Sequence, residues 1–150
     1  MSEAFSVRPA GAADLRAWAA LREALWPDES DAFGGVAEAL QREDGANFLA
    51  FAADGQAIGF ADATLRQDYV NGTDSSPVGF LEGWYVVPAW RGRGVGRALL
   101  RHVLEWTRAQ GCTELASDAL IDDAAAQAAH RACGFEETER VVYFRMPVAD

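Results

Sequence analysis

A mixed α/β (α+β) fold, a mixed central sheet flanked by helices, is predicted for this chain on three observations. Apolar residues recur with period 2 in some segments and about 3.6 in others, so strands and helices are both expected. Asp54-Gly55 lies between two apolar segments, the sequence signature of a hairpin and therefore of antiparallel pairing. Later in the chain, helical patterns stand between strand patterns and can supply the crossovers that parallel pairing requires. The 150 residues suit one domain spanning 1–150, large enough to bury about 68–70% of its unfolded surface.

The elements follow in order. Phe5 to Pro9 predicts a short first strand. Asp14 to Trp26 places Leu15, Trp18, Leu21, Leu25 and Trp26 near one helical face, and Pro27 interrupts it. Asp28 to Arg42 predicts a weaker helix, because Gly34 and Gly35 each cost about 1 kcal/mol relative to Ala in a helix interior. Asn47 to Ala53 and Gln56 to Leu65 form the hairpin around Asp54-Gly55. Asp68 to Pro77 is polar and carries Asn71-Gly72, so it predicts a loop or a second turn. Val78 to Val87 is a central strand that stops at Pro88, which has no N–H to donate. Gly94 to Gln110 is amphipathic, with Val95, Leu99, Val103 and Trp106 on one side and Gly111 as its C-terminal cap. Thr113 to Ser117 predicts a short strand. Asp122 or Asp123 caps an Ala-rich helix ending at Cys133, and Val141 to Val148 is expected to form the last strand.

Thirteen basic residues, all Arg, stand against 23 acidic ones, a net charge of −10. That balance speaks against a general binder of nucleic acid or of an anionic membrane surface and is compatible with a cationic ligand. Cys112 and Cys133 form neither a disulfide framework nor a zinc-type cluster, and no metal site is expected. The start of the chain lacks a basic segment followed by an apolar one, and no apolar run approaches the ~18–20 residues that span a bilayer. A cytoplasmic protein is expected.

Against this acidic background, four of the thirteen arginines fall between positions 91 and 101. Three of them sit in Arg91-Gly92-Arg93-Gly94-Val95-Gly96-Arg97, between a strand ending at Pro88 and a helix starting near Gly94. Backbone N–H groups at a helix N-terminus point outward and carry the positive end of the helix dipole, so they hold phosphate. Glycines let the phosphate approach, and Arg91, Arg93 and Arg97 add positive charge where a diphosphate would sit. A dinucleotide fingerprint fails, because Arg97 stands where its last Gly belongs; a P-loop fails for want of Lys.

Arg91 to Gly96, following Trp84-Tyr85-Val86-Val87-Pro88, resembles the acetyl-CoA motif of the GNAT acyltransferases, and the segment order matches that fold along nearly the whole chain. The resemblance implies acetyl-CoA as co-substrate, its pyrophosphate held by the amides of Gly92, Gly94, Val95 and Gly96. It also implies a splayed central strand pair, with Trp84, Tyr85, Val86 and Val87 meeting the pantetheine arm. Leu25-Trp26-Pro27, Gly59 to Ala63, Asp68 to Gly72, Asp74 to Pro77, Phe80 to Gly83, Ala116-Ser117-Asp118 and Gly134 to Arg140 together resemble one branch, the bacterial aminoglycoside 6'-N-acetyltransferases. That resemblance implies Trp26, Tyr69, Glu82, Asp118 and Glu139 as antibiotic-binding residues and a homodimer as the assembly. Asp123 falls where the branch has an Asn near CoA, and Glu29 falls near a position that carries His.

The chemistry suits those residue types. Carboxylates hold ammonium groups by charge-assisted hydrogen bonds, and aromatic faces cover sugars or meet cations. The nucleophilic amine must lose its proton before it attacks the thioester, so a carboxylate base is expected, with Glu82 and Asp118 as candidates. A Tyr that protonates the departing thiolate in many GNAT members is replaced here by His130. His130, Tyr143 or unaided departure remain open. No Cys or Ser lies in a nucleophile-elbow context, so direct attack in a ternary complex is expected. Two other readings share the motif: acetylation of another cationic small amine, and a noncatalytic acyl-CoA-binding module.

Overall fold

The computed structural model describes residues 4–149. They form two compact units that meet in sequence between Ser117 and Asp118. The first contains a five-stranded sheet of β1 (Phe5–Pro9), β2 (Gly45–Ala52), β3 (Ala57–Arg66), β4 (Val78–Val86) and β5 (Leu115–Ser117), in that spatial order. Its helices are α1 (Leu15–Leu25), α2 (Ala32–Gln41) and α3 (Val95–Ala109). β1 to β4 pair antiparallel, and α3 is the crossover that makes β5 parallel to β4.

Each boundary has a local cause. Around Gly55 (φ +90°) the chain reverses between β2 and β3, as Asp-Gly predicts. The second helix is shorter than its sequence predicts, beginning at Ala32 because the Asp31 carboxylate accepts the Gly34 N–H at 2.9 Å and caps it there. One face of α3 buries Val95, Leu99, Leu100 and Val103. On the other side of the sheet, Trp18 and Leu21 of α1 and Val36 of α2 enclose Leu49 and Phe60. Fully burying such a side chain contributes about 1.5–3 kcal/mol, so both layers hold firmly to the strands between them.

Arg8 and Asp14 pin β1 to the start of α1. Arg8 donates to both Asp14 oxygens, at 2.7 and 2.9 Å, and the Gly11 N–H donates to one of them at 2.8 Å. Asp14 is buried, and Arg8 holds its carboxyl below the usual carboxylate range. Asp14→Ala is expected to lower stability by about 1 kcal/mol at pH 7, because the Gly11 N–H loses its acceptor while half-exposed Arg8 is re-solvated by water. A depressed carboxylate stabilises the fold above its unfolded pKa and loses that effect as pH falls through the folded one. The gap between wild type and Asp14→Ala in chemical denaturation should therefore close below about pH 4.

The second unit contains α4 (Ala124–Ala132), capped by Asp123, whose carboxylate accepts the Ala126 N–H at 3.0 Å. The expected last strand is not formed. Residues 141–148 pair with no strand among the described residues, and Val142, Tyr143, Phe144, Met146 and Val148 are exposed. Strand-forming residues become a strand only where a ladder partner satisfies their backbone.

Candidate active site

Two features of β4 organise the site in the first unit. β5 pairs with β4 from Gly79 to Leu81, and β4 runs on from Glu82 to Val86 beyond the last of these pairs. This is the splayed strand pair expected above. The second feature is a register shift against β3: Asp62 lies opposite Gly83 and Ala63 opposite Leu81, which leaves Glu82 as the extra residue of a bulge.

The bulge resets which side each side chain faces. Glu82 accepts from Thr64 Oγ1 at 2.8 Å, on the side of α1 and α2. Gly83 faces the same way, because a Cβ there would lie 2.6 Å from the Trp26 ring and 3.0 Å from Phe60. Trp84 then turns to the opposite side, where its indole N–H donates to the Gly96 carbonyl of α3 at 3.0 Å. One strand thus builds two half-sites on opposite faces of the sheet.

On the α3 face, Gly92 and Gly94 have φ of +76° and +88°, conformations costly for other residues, and a Cβ at either would meet nothing within 4 Å. Ala98 closes the first helical hydrogen bond, to the Gly94 carbonyl at 3.0 Å. By helix geometry the amides of Val95 and Gly96 before it point out of the helix end. Open space in front of a glycine-flanked helix N-terminus fits a phosphate group. The arginines divide their roles. Arg91 turns back to donate to the Val86 carbonyl at 2.8 Å and lies beside the Tyr85 ring. Arg93 lies over Trp90, and Arg97 is in the first turn of α3. The Val87 N–H is taken by the Ile58 carbonyl at 2.9 Å, extending the β3 side of the ladder.

On the α1/α2 face lies an open cleft of ≈ 1040 Å³, enough for a ligand of several rings. Its walls carry the carboxyls of Glu29, Asp31, Glu38, Asp62 and Glu82 against the guanidiniums of Arg22, Arg42 and Arg66. Five acids against three bases make it an anionic cleft. Glu82 is gripped by Arg66 (Nη2 to Oε1, 2.8 Å; to Oε2, 2.9 Å), whose guanidinium stacks 3.6 Å from the Phe80 ring centroid. Trp26 closes α1 and packs edge-on against Phe60. Arg22 donates to both Glu29 oxygens, at 3.2 and 3.1 Å, and lies 5.0 Å from the Trp26 ring centroid.

The cleft therefore unites Trp26, Glu29 and Glu82. Tyr69 is exposed in the loop before β4. Asp118, Asp123, His130, Glu139 and Tyr143 belong to the second unit. There Asp123 is occupied as the α4 cap, and Glu139 and Tyr143 are exposed. His130 Nδ1 sits 2.7 Å from the Ala126 carbonyl of its own helix. With Nδ1–H donating there, Nε2 of a neutral ring can only accept, so His130 can deliver a proton from Nε2 only as imidazolium.

Sequence reasoning missed Asp62, Arg22, Thr64 and Arg66. Asp62 did carry a signal, since it occupies the inward phase of Ile58 and Phe60 in an otherwise apolar strand. It is buried, and neither carboxylate oxygen has a hydrogen-bond partner. Burial pushes its pKa up to about 7, opposed chiefly by the Arg22 guanidinium and assisted by Glu82 and Glu29.

Residues 15–135 match the model of the acetyltransferase (GNAT) family. The chain is 62% identical to aminoglycoside N(6')-acetyltransferase type 1 of Stenotrophomonas maltophilia, over 99% of this chain and 97% of that protein. It is 48% identical to the protein of the same name from Salmonella enteritidis, over 93% and 97% of the two chains. Among solved structures, aminoglycoside N-acetyltransferase AAC(6')-Iy in complex with CoA superposes with a TM-score of 0.93 at 45% identity, covering 99% of this chain and 98% of that one. The same enzyme in complex with the bisubstrate analogue CoA-S-monomethyl-acetylneamine gives a TM-score of 0.90 at 46% identity, covering 97% and 99%.

Proposed function

The chain belongs to the acetyltransferase (GNAT) family, and from that premise we propose that it transfers the acetyl group of acetyl-CoA to the 6'-amine of aminoglycoside antibiotics, conferring resistance to them. The observation that carries this reading is the match along nearly the whole chain to enzymes named for that reaction. The structure adds a physical rationale: an anionic cleft on one face of β4 for a polycation and a glycine-rich helix start on the other for a diphosphate. Residues 1–150 act as one catalytic domain in this reading, and the family match crosses the Ser117–Asp118 boundary.

Bound acetyl-CoA supplies the activated thioester. Gly92, Gly94, Val95 and Gly96 hold its diphosphate, Arg93 and Arg97 supply charge nearby, and the edge of Trp84 to Val86, beyond the last β5 pair at Leu81, meets the pantetheine arm. Arg91 contributes by fixing the end of β4 through the Val86 carbonyl. Trp26, Tyr69, Glu82 and Glu139 bind the antibiotic. Arg66 and Thr64 keep Glu82 as a fixed hydrogen-bond acceptor for an ammonium. Asp118 takes the proton from the attacking amine, and the amine then attacks directly.

Purified protein with acetyl-CoA and tobramycin or kanamycin should release free thiol with saturable kinetics, and the product should carry its acetyl group on the 6' nitrogen. A compound lacking a 6'-amine should release none. Turnover of polyamines or simple amino sugars without any aminoglycoside turnover would overturn the reading. Asp118→Asn should lower kcat by about 10²–10³ while the KM for acetyl-CoA stays nearly constant, and should abolish protection of a host expressing the chain.

A homodimer is part of this proposal. Exposed Val142, Tyr143, Phe144, Met146 and Val148 form an apolar run of the kind that a second protein surface covers, and sedimentation at micromolar concentration tests it. A cytoplasmic location, where acetyl-CoA is made, is likewise proposed. Both cysteines are free, and no helix among the described residues is long and apolar enough to cross a membrane.

A further inference from the structure

Asp62 has no role in the reaction as written, yet its surroundings are unusual. Its carboxylate lies under the wall of the acceptor cleft, 4% exposed, and neither oxygen accepts a hydrogen bond. The cation nearest to it is Arg22, whose Nη1 stands 3.6 Å from Oδ2, too long for a hydrogen bond and close enough for strong attraction in a buried setting. From its other side the same guanidinium grips Glu29 and lies against Trp26. One arginine thus ties together the last turn of α1, the loop after it and β3, and Asp62 is its buried counter-charge.

A guanidinium at the rim of a site for a polycation repels that ligand unless it is neutralised. Glu29 balances one charge. With Asp62 ionised, the group of Arg22, Glu29 and Asp62 carries one net negative charge; with Asp62 protonated, it carries none. The other groups facing Asp62 do not supply this charge. Glu82 on β4 is held by Thr64 and Arg66, Trp18 of α1 is neutral, and Asn47, its cross-strand partner on β2, is neutral and donates to the Ala39 carbonyl.

We propose that Asp62 is a positioning and specificity residue for the cationic acceptor: from beneath the cleft wall it holds Arg22, which orients Glu29 and Trp26, and it sets the charge that this wall presents to the ligand's ammonium groups. The inference rests on the cleft being the aminoglycoside site. Geometry carries it; the raised pKa adds that the wall gains its negative charge as pH rises through about 7.

The test is Asp62→Asn in the full chain. At pH 8 the KM for tobramycin should rise about tenfold while kcat and the KM for acetyl-CoA stay within about twofold. The ratio of kcat/KM between wild type and variant should fall toward one as pH is lowered from 8 to 6, because a protonated Asp62 has the charge of Asn. The antibiotic's own ionisation is common to both proteins and cancels in that ratio. A ratio that ignores pH, or an equal loss in acetyl-CoA affinity, would overturn the proposal. If Asp62→Asn does not fold, Asp62→Ser must show the same split between the two substrates, and an unchanged acceptor KM refutes the inference. A measurement without antibiotic separates this inference from the functional reading. At pH 8 the Trp26 indole N–H resonance of wild-type protein should differ from that of Asp62→Asn, and the two should converge as pH falls. Identical Trp26 resonances in the two proteins at pH 8 overturn the positioning role whatever the enzyme acetylates.

Discussion

Glu82→Gln is expected to lower kcat/KM for an aminoglycoside by about 10²-fold or more while leaving the KM for acetyl-CoA within about twofold. The size follows from what Glu82 holds. Its carboxylate is the shared acceptor of Thr64 Oγ1 and of two Arg66 nitrogens, and Arg66 lines the same cleft. Glutamine keeps one oxygen, enough for Thr64, and loses the charge that balances Arg66. The cleft would lose an ammonium acceptor and gain an unbalanced guanidinium, and both changes act against a polycation. Stability should change by less than about 1 kcal/mol, because the ion pair is part-exposed and such pairs contribute little to folding. Steady-state kinetics with each substrate varied, together with a thermal melt, measure both. A loss below about fivefold in acceptor kcat/KM would remove Glu82 from the binding set.

Gly94→Val should act on the other substrate, raising the KM for acetyl-CoA by about 50–100-fold with only a small change in the KM for the antibiotic. Gly94 caps α3 at φ +88°, where a β-branched side chain meets its own backbone. Relaxing that strain would rotate the first turn of α3, whose amides are proposed to hold the diphosphate, and disturb the Trp84–Gly96 bond that ties α3 to β4. The added methyls also enter the open space before the helix end. Gly55→Val provides the control. Gly55 has nearly the same dihedral, φ +90°, also with nothing within 4 Å, and lies in the β2–β3 hairpin. Both variants should lose a similar amount of stability, about 1–2 kcal/mol, and only Gly94→Val should lose acetyl-CoA affinity. Equal KM values in the two variants would show that the turn acts through stability alone.

The role proposed for Gly94 is legible in the chain itself. A strand ending at proline, three glycines, clustered arginines and an amphipathic helix are local features, and a helix N-terminus binds phosphate by its own geometry. The hairpin at Asp54-Gly55 and the amphipathic α3 were readable for the same reason. Glu82 and Trp26 could be named from their resemblance to family positions, but the residues that hold them could not. Thr64 lies 18 positions from Glu82, and Asp62 lies 40 from Arg22. Nothing in the local pattern says which arginine meets which acid.

The sequence by itself determined the order of the elements as far as α4, the glycine-rich turn proposed to receive phosphate and the acidity available for a cationic ligand. These depend on torsional preferences and on spacing within a few residues. Tertiary structure alone decided three further things: that β4 gains a residue against β3 at Glu82, that Asp62 is sealed beneath Arg22, and that residues 141–148 find no ladder partner among the described residues. Each depends on pairing between distant segments. A one-residue change of register turns every following side chain to the other face, and this is how a single strand presents Glu82 to one side of the sheet and Trp84 to the other.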